Sequence, residues 1–219
     1  MVIKLENIEK NYKHIKVLNA IDLEINEGEV VSIQGASGAG KSTLLHIMGT
    51  LERPDRGNVY FQGEDIESFT SADLAKIRNQ NIGFVFQFHH LLPEFTAIEN
   101  ISIPAMIAKE NSSFIKKRAE ELMSFMGLKD RMHHKPNQLS GGEQQRIAVA
   151  RALVNKPVIV FADEPSGNLD TQNANDLHEL FLRLRDEMGQ TFVIVTHNRE
   201  LASMSNKEYI LKDGTISMS

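Results

Sequence analysis

Gly35-Ala36-Ser37-Gly38-Ala39-Gly40-Lys41-Ser42 is the stretch that decides the fold. Before it, Val30 to Ile33 is a short apolar run with strand character; after it, Ser42 to Gly49 places Leu44, Leu45, Ile47 and Met48 at helical spacing. A strand, a glycine-rich loop, Gly-Lys-Ser and a helix together form the pattern of a phosphate-binding loop. The glycines let backbone N–H groups turn inward around phosphate, and the helix N-terminus adds a favourable dipole. Lys41 is placed to reach the β- and γ-phosphates, and the Ser42 hydroxyl suits Mg²⁺. A glycine-rich turn with a chance lysine accounts for the loop alone, but not for its position between strand and helix.

Outward from the loop, Val2 to Ile8 and Leu18 to Ile25 alternate apolar and polar residues, as half-buried antiparallel strands do. Glu27-Gly28-Glu29 is a turn, Arg53 to Gly57 is turn chemistry, and Val59 to Phe61 and Ile82 to Phe86 read as strands. From Phe95 to Lys156 the pattern becomes helical. Thr96 and Glu99 form a capping box, Ser113 to Met126 is amphipathic with Gly127 as its stop, and Ser140 and Glu143 form a second box opening a helix to about Asn155. Strand–helix alternation then resumes: Val158 to Ala162 as a buried strand, Thr171 to Met188 as a helix, Thr191 to Val195 as a strand, and a final hairpin turning at Asp213-Gly214. The expected fold is α/β: a P-loop core with an N-terminal antiparallel β-subdomain and an inserted α-helical subdomain. The catalytic core is expected over 1–87 and 158–219, and the insertion over 88–157.

Composition narrows the function. The 219 residues are 41% hydrophobic and 24% charged, with 29 acidic and 24 basic side chains and a formal net charge of -5. A chain without basic excess is a poor non-specific nucleic-acid binder, because such binding rests on phosphate neutralisation. Cysteine is absent, which excludes disulfides and cysteine-based zinc sites and fits a reducing cytosol. No stretch approaches the about 18 consecutive apolar residues that span a bilayer, and the N-terminus lacks the apolar core of a signal peptide.

Two more motifs carry chemistry. Val158 to Glu164 is a buried strand ending in two acids, which beside a P-loop is a Walker B arrangement. Asp163 is expected to hold Mg²⁺ and Glu164 to polarise an attacking water as general base. Leu139-Ser-Gly-Gly-Glu-Gln-Gln-Arg146 puts Ser140, Gly141 and Gly142 at the start of a helix, a second anion-binding element. The capping box explains Ser140 and Glu143 without a ligand. It does not explain two consecutive glycines, each of which costs a helix up to about 1 kcal/mol; close approach to phosphate does.

That octapeptide resembles the signature of the ABC ATPases, and the order Lys41, Gln87, Ser140, Asp163, His197 resembles an ABC nucleotide-binding domain over essentially the whole chain. The resemblance implies ATP and Mg²⁺ as cofactors and assigns further roles. Tyr12 occupies the place of an aromatic that stacks on adenine. Gly35, Ala36, Ser37, Gly38, Ala39, Gly40, Lys41, Ser42 and Thr43 hold the phosphates. Gln87 matches the Q-loop glutamine, which touches Mg²⁺ and the water and senses the membrane partner; with Ser42 and Asp163 it completes the metal set. Ser166 to Asp170 resembles the D-loop that crosses a dimer interface, and His197 matches the switch histidine that contacts the γ-phosphate. Glu164, His197 and Gln87 are thus the expected catalytic residues. In the family two chains pair head to tail, so Ser140, Gly141, Gly142 and Asp170 are expected to act in trans, in a homodimer.

Within the family, Phe-His-His-Leu-Leu-Pro after Gln87 resembles the lipoprotein-releasing ATPases, the LolD type. The D-loop form resembles the wider group that includes the macrolide exporter MacB and the division ATPase FtsE, where threonine is commoner than Ser166. In that group the region 87–100 receives integral membrane permease subunits, here of LolC/LolE-like kind, and Leu91, Leu92 and Phe95 are candidates for an apolar socket; packing inside the helical subdomain is the competing reading for each. The pairs His89-His90 and His133-His134 are not expected to bind metal, since adjacent histidines in extended chain point apart. The chain is therefore expected to be an ATPase that powers lipoprotein release from the cytoplasmic face of the inner membrane, with MacB-like efflux or FtsE-like regulation as alternatives. The chain's end soon after His197, without a membrane span, argues against the MacB type. DNA- and ribosome-directed ATPases are disfavoured by the charge and by the lack of a long coiled-coil or a second ATPase domain.

Overall fold

The computed structural model describes residues 1–219. In chain order the elements are β1 (Ile3–Tyr12), β2 (Ile15–Ile25), β3 (Val30–Gln34), α1 (Lys41–Met48), β4 (Arg56–Phe61), β5 (Glu64–Asp65), α2 (Ser71–Gln80), β6 (Ile82–Phe86), α3 (Ala97–Ile107), α4 (Ser112–Phe125), α5 (Gly141–Leu153), β7 (Ile159–Asp163), α6 (Thr171–Met188), β8 (Thr191–Val195), α7 (Arg199–Ser203), β9 (Lys207–Lys212) and β10 (Thr215–Met218). A four-stranded antiparallel sheet runs β2-β1-β4-β5, and a six-stranded sheet runs β10-β9-β3-β8-β7-β6, parallel except for its β10 edge.

The first sheet follows from the alternation of its sequence. Ile3 pairs with Ile25 and Leu5 with Leu23, and all four point into the core. Beyond Leu5 the register shifts, with Asn7 and Ala20 at φ +50°. These bulges break the two-residue period, so β1 continues to Tyr12 rather than ending at Ile8 as the alternation suggests.

The second sheet is buried on both faces, which is why Val158 to Ala162 reads as unbroken apolar sequence. Along β7, Phe161 packs with Leu44, Leu45, Val193 and the antiparallel sheet, while Val160 and Ala162 pack with Ile147, Leu177, Phe181 and the helices α3 to α6. The six-stranded sheet thus separates two cores, with α1 held between the sheets. Its parallel strands β3, β6, β7 and β8 share one direction, so their C-terminal ends open along one edge, where open α/β sheets place their ligands.

Both expected capping boxes close, at Thr96/Glu99 and Ser140/Glu143. Gly127 ends α4 at φ +70°, and Asp213-Gly214, both at positive φ, turns the last hairpin. Helix α5 stops at Leu153, short of Asn155, ahead of Lys156 at φ +54° and Pro157. Helix α2 is not evident from periodicity, because it buries only Leu74; its signal is a third capping box, Thr70/Asp73. No helix is long and apolar enough to cross a membrane.

Candidate functional site

The loop after β3 owes its shape to its glycines. Gly38 and Gly40 sit at φ +79° and +100°, where a side chain is strained. A Cβ on Gly35 would lie 2.4 Å from the Leu211 carbonyl oxygen, so the β9 backbone holds the loop from behind. Gly40 offers no side-chain cap to α1, which leaves the N–H groups of the first turn for an anion. Lys41 Nζ donates to the carbonyl oxygens of Gly35 and Ala36 at 2.8 and 3.0 Å, across the mouth of the loop.

Three further strand ends bring four residues to this loop. Gln87 follows β6, Asp163 ends β7, Glu164 follows it, and His197 lies just beyond β8. They line one cleft of about 680 Å³ with Tyr12, Val17, Gly35, Ala36, Ser37, Gly38, Gly40, Lys41, Ser42 and Thr43. Ala39 faces the neighbouring groove beside Leu211 and Gly214. Glu164 adopts φ +46°, and its N–H donates to the Val195 carbonyl at 2.9 Å, which ties it to β8. Its Oε2 accepts the His197 N–H at 3.2 Å and lies 2.8 Å from His197 Nδ1. A carboxylate held this way, 18% exposed beside a mostly exposed imidazole, is fixed in direction toward the cleft. Gln87 and Asn168 form a reciprocal pair: Gln87 Nε2 donates to Asn168 Oδ1 at 3.0 Å, and Asn168 Nδ2 donates to the Gln87 carbonyl at 3.2 Å. Tyr12 presents its ring to the cleft and donates its hydroxyl to Glu52 Oε2 at 2.6 Å. Burial, and then that bond to Glu52, hold the phenol's pKa above its ordinary value.

Ser140, Gly141, Gly142 and Asp170 do not line this cleft. Ser140 caps α5, its Oγ accepting the Glu143 N–H at 3.2 Å. The Ser140 N–H on the Glu143 carboxylate, outweighing burial and joined by Arg131, keeps that carboxyl below the usual range. Asp170 caps α6 through the Asn173 N–H at 2.9 Å and accepts the Asn173 amide at 2.8 Å; those bonds lower its pKa. The two signature glycines turn out to differ. A Cβ on Gly142 would lie 2.2 Å from Asn173 Oδ1, so Gly142 is needed for packing of α5 against α6. A Cβ on Gly141 would meet nothing nearer than Leu169 Cδ2 at 3.8 Å. Within the chain, therefore, Gly142 has a packing reason of its own, whereas Gly141 has none.

Helix α5 also fixes the segment after Gln87. Buried Gln145 donates to the Phe86 carbonyl at 3.2 Å and pairs with His89, and Arg151 donates to the His90 and His89 carbonyls at 2.7 and 2.8 Å. Leu91 packs against the helical core, which is the competing reading for that residue. Leu92 and Phe95 are 43% and 41% exposed, and Phe88, which the sequence reading passed over, is 65% exposed. Glu52 was missed as well, since it meets Tyr12 only through the tertiary fold.

Ser42, Gln87 and Asp163 offer oxygen donors only, and all three line the cleft beside the phosphate loop. One carboxylate with neutral oxygens and no cluster of three His, Cys, Asp or Glu side chains is the donor set of Mg²⁺ shared with phosphates, not of a protein-only cage.

Comparison with known proteins accords with this geometry. A family model described as ABC transporter matches residues 18–167. The chain is 59% identical to a protein of Bacteroides thetaiotaomicron named lipoprotein-releasing system ATP-binding protein LolD, over 98% of this chain and 99% of that one. It is 58% identical to the Cytophaga hutchinsonii protein of the same name, over 98% of each. Among solved structures, a dimeric post-hydrolysis ATP-binding cassette bound to ADP and Pi superposes with a TM-score of 0.89 at 41% identity, over 99% of this chain and 97% of that one. A dimeric bacterial ABC transporter cassette superposes with a TM-score of 0.89 at 42% identity, over 98% and 96%.

Proposed function

The chain belongs to the ABC transporter family of ATP-binding cassettes, and from that premise we propose that it is the ATPase subunit of a system that releases lipoproteins from a membrane through separate membrane subunits. It binds ATP in the cleft built around Lys41, with Tyr12 against adenine and residues 35–43 around the phosphates. Residues 1–87 and 158–219 form the catalytic core, and 88–157 carry the signature.

Glu164 takes a proton from the attacking water, and the bonds from His197 and to Val195 keep its carboxylate aimed at the γ-phosphate. Lys41 and the first turn of α1 stabilise charge on the phosphate oxygens. Ser42, Asp163 and Gln87 are the residues that would hold Mg²⁺, which when bound neutralises phosphate charge. Gln87 would offer its Oε1 to the metal while its Nε2 donates to Asn168, which links the metal site to the D-loop.

The observation that carries this reading is the split of the motifs. One cleft gathers Tyr12, the P-loop, Gln87, Asp163, Glu164 and His197, while Ser140, Gly141, Gly142 and Asp170 face elsewhere. A second copy, head to tail, supplies them, so two ATP molecules join a homodimer and hydrolysis opens it. The exposed Phe88, Leu92 and Phe95, all within the region 87–100, meet LolC/LolE-like permeases at the cytoplasmic face of the inner membrane. Pull-down from detergent-solubilised membranes tests the partner: recovery of a permease with a large periplasmic domain is expected, and recovery of none, with ATP-dependent dimers intact, would overturn the partner assignment.

A further inference from the structure

An aromatic that stacks on a base is useful only if its ring is held where the base arrives, and a tyrosine on the surface would otherwise spend rotamer freedom on binding. Tyr12 ends β1 beside the two-residue link to β2 and is 44% exposed, so packing alone does not hold it. Its hydroxyl instead donates at 2.6 Å to Glu52 Oε2, in the loop that leaves α1. Glu52 is itself fixed. Its N–H donates to the His46 carbonyl, and its other oxygen lies 3.0 Å from Lys10 Nζ. The Lys10 ammonium donates to Arg53 O (2.8 Å) and Asp55 Oδ1 (3.3 Å), pairs with Glu52, and stands 5.7 Å from the Tyr12 ring centroid. Asp55 closes the network by accepting the Asn11 N–H at 2.7 Å. The loop after α1 is thereby clamped to the tip of β1, and α1 is the helix whose N-terminus meets the phosphates.

We propose that Glu52 is a positioning residue for nucleotide binding: held in place by Lys10, it anchors the Tyr12 ring in its stacking position. This rests on the assignment of Tyr12 as the adenine partner. The tether acts on the base and not on the phosphates, so its loss is selective. Glu52→Gln and Tyr12→Phe each remove the charge-assisted bond while keeping shape, and Tyr12→Phe keeps the ring.

The test measures, on the full chain, the KM and kcat of ATP hydrolysis and the inhibition constant of inorganic tripolyphosphate, with thermal melting as a check on folding. Glu52→Gln and Tyr12→Phe are each expected to raise the KM for ATP about three- to tenfold, the factor for immobilising one side chain. The kcat and the tripolyphosphate constant stay at wild-type values, and the double variant is no worse than either single one. Tyr12→Ala separates the levels. If it leaves KM unchanged, the stacking assignment fails and takes this inference with it. If it raises KM while Tyr12→Phe or Glu52→Gln behaves as wild type, stacking stands and the tether is refuted. A matching rise for tripolyphosphate would also refute it, since the loop would then act on α1 rather than on the base.

Discussion

Substituting alanine at Gly141 and at Gly142, one at a time, separates the structural from the functional demand on neighbouring residues. At Gly142 the new Cβ arrives 2.2 Å from Asn173 Oδ1, 2.7 Å from Cγ and 3.2 Å from Cβ. Rotating the amide away relieves only the first two contacts and breaks its bond to Asp170, so α5 and α6 must also separate slightly. Overpacking of this kind costs about 1–3 kcal/mol, while alanine returns at most about 1 kcal/mol of helix propensity. After a full return of propensity the net is about 0–2 kcal/mol of destabilisation, a fall in Tm of up to roughly 8 °C for a chain of this length. At Gly141 the Cβ has 3.8 Å of clearance, so the propensity term stands alone and Tm holds or rises. The same methyl then lies where a partner chain's γ-phosphate is expected to approach. The comparable overpacking, about 1–3 kcal/mol, weakens ATP-driven dimerisation by roughly 5- to 150-fold. Calorimetric melting and size-exclusion chromatography with ATP, in a Glu164→Gln background, read the two effects. A Gly142→Ala chain that melts as high as the Gly141→Ala chain refutes the packing argument. A Gly141→Ala chain that dimerises like its parent refutes the phosphate argument.

Glu164→Gln by itself keeps the strained backbone position and the bond to Val195 but removes the base; ATP binding and a stable dimer are expected, with hydrolysis down at least about 100-fold, and a chain that stays monomeric in saturating ATP-Mg would count against the composite site. Lys41→Ala removes the ammonium that spans the Gly35 and Ala36 carbonyls; titration calorimetry is expected to find no measurable ATP binding, and retained affinity would mean the loop is misassigned. Leu92→Glu and Phe95→Glu alter exposed side chains, so melting and basal ATPase should hold while stimulation by membrane subunits is lost; Leu91→Glu, at a residue packed on the helical core, should lower Tm instead. If the Leu92 and Phe95 variants also lose basal ATPase, those side chains serve the fold and not a partner.

What could be read in the sequence and what could not divide along a physical line. The P-loop, the strand ending in Asp163-Glu164, the capping boxes and the Asp213-Gly214 turn are local: each needs a few adjacent residues whose φ, hydrogen bonds or burial follow from their own types. Helix α2 escaped because a helix with one buried residue has no apolar stripe, leaving only its Thr70/Asp73 cap as a signal. Strand β1 was read short because its bulges shift the side-chain period that defines a strand in sequence.

The site shows the same division at finer scale. Asp163 and Glu164 were legible as a strand-end motif beside the P-loop and Gln87 and His197 through the family resemblance; parallel strands, which place their C-terminal ends together, account for their shared cleft. Gly142 and Glu52 were not, for opposite reasons. Gly142 sits in a motif whose ligand-binding reading hides its packing role against Asn173. Glu52 sits in no motif, and its meeting with Tyr12 depends on where α1 ends relative to the tip of β1, a distance set by the whole antiparallel sheet. A residue that works by positioning another leaves no pattern in the chain, because nothing in the chemistry requires it to be a neighbour. Such residues are found by asking what holds each functional side chain still. In this cleft that question gives Glu52 and Lys10 for Tyr12, the Val195 carbonyl and His197 for Glu164, and Asn168 for Gln87. Of these, the Gln87–Asn168 pair is the one that ties a residue of the metal set directly to the D-loop.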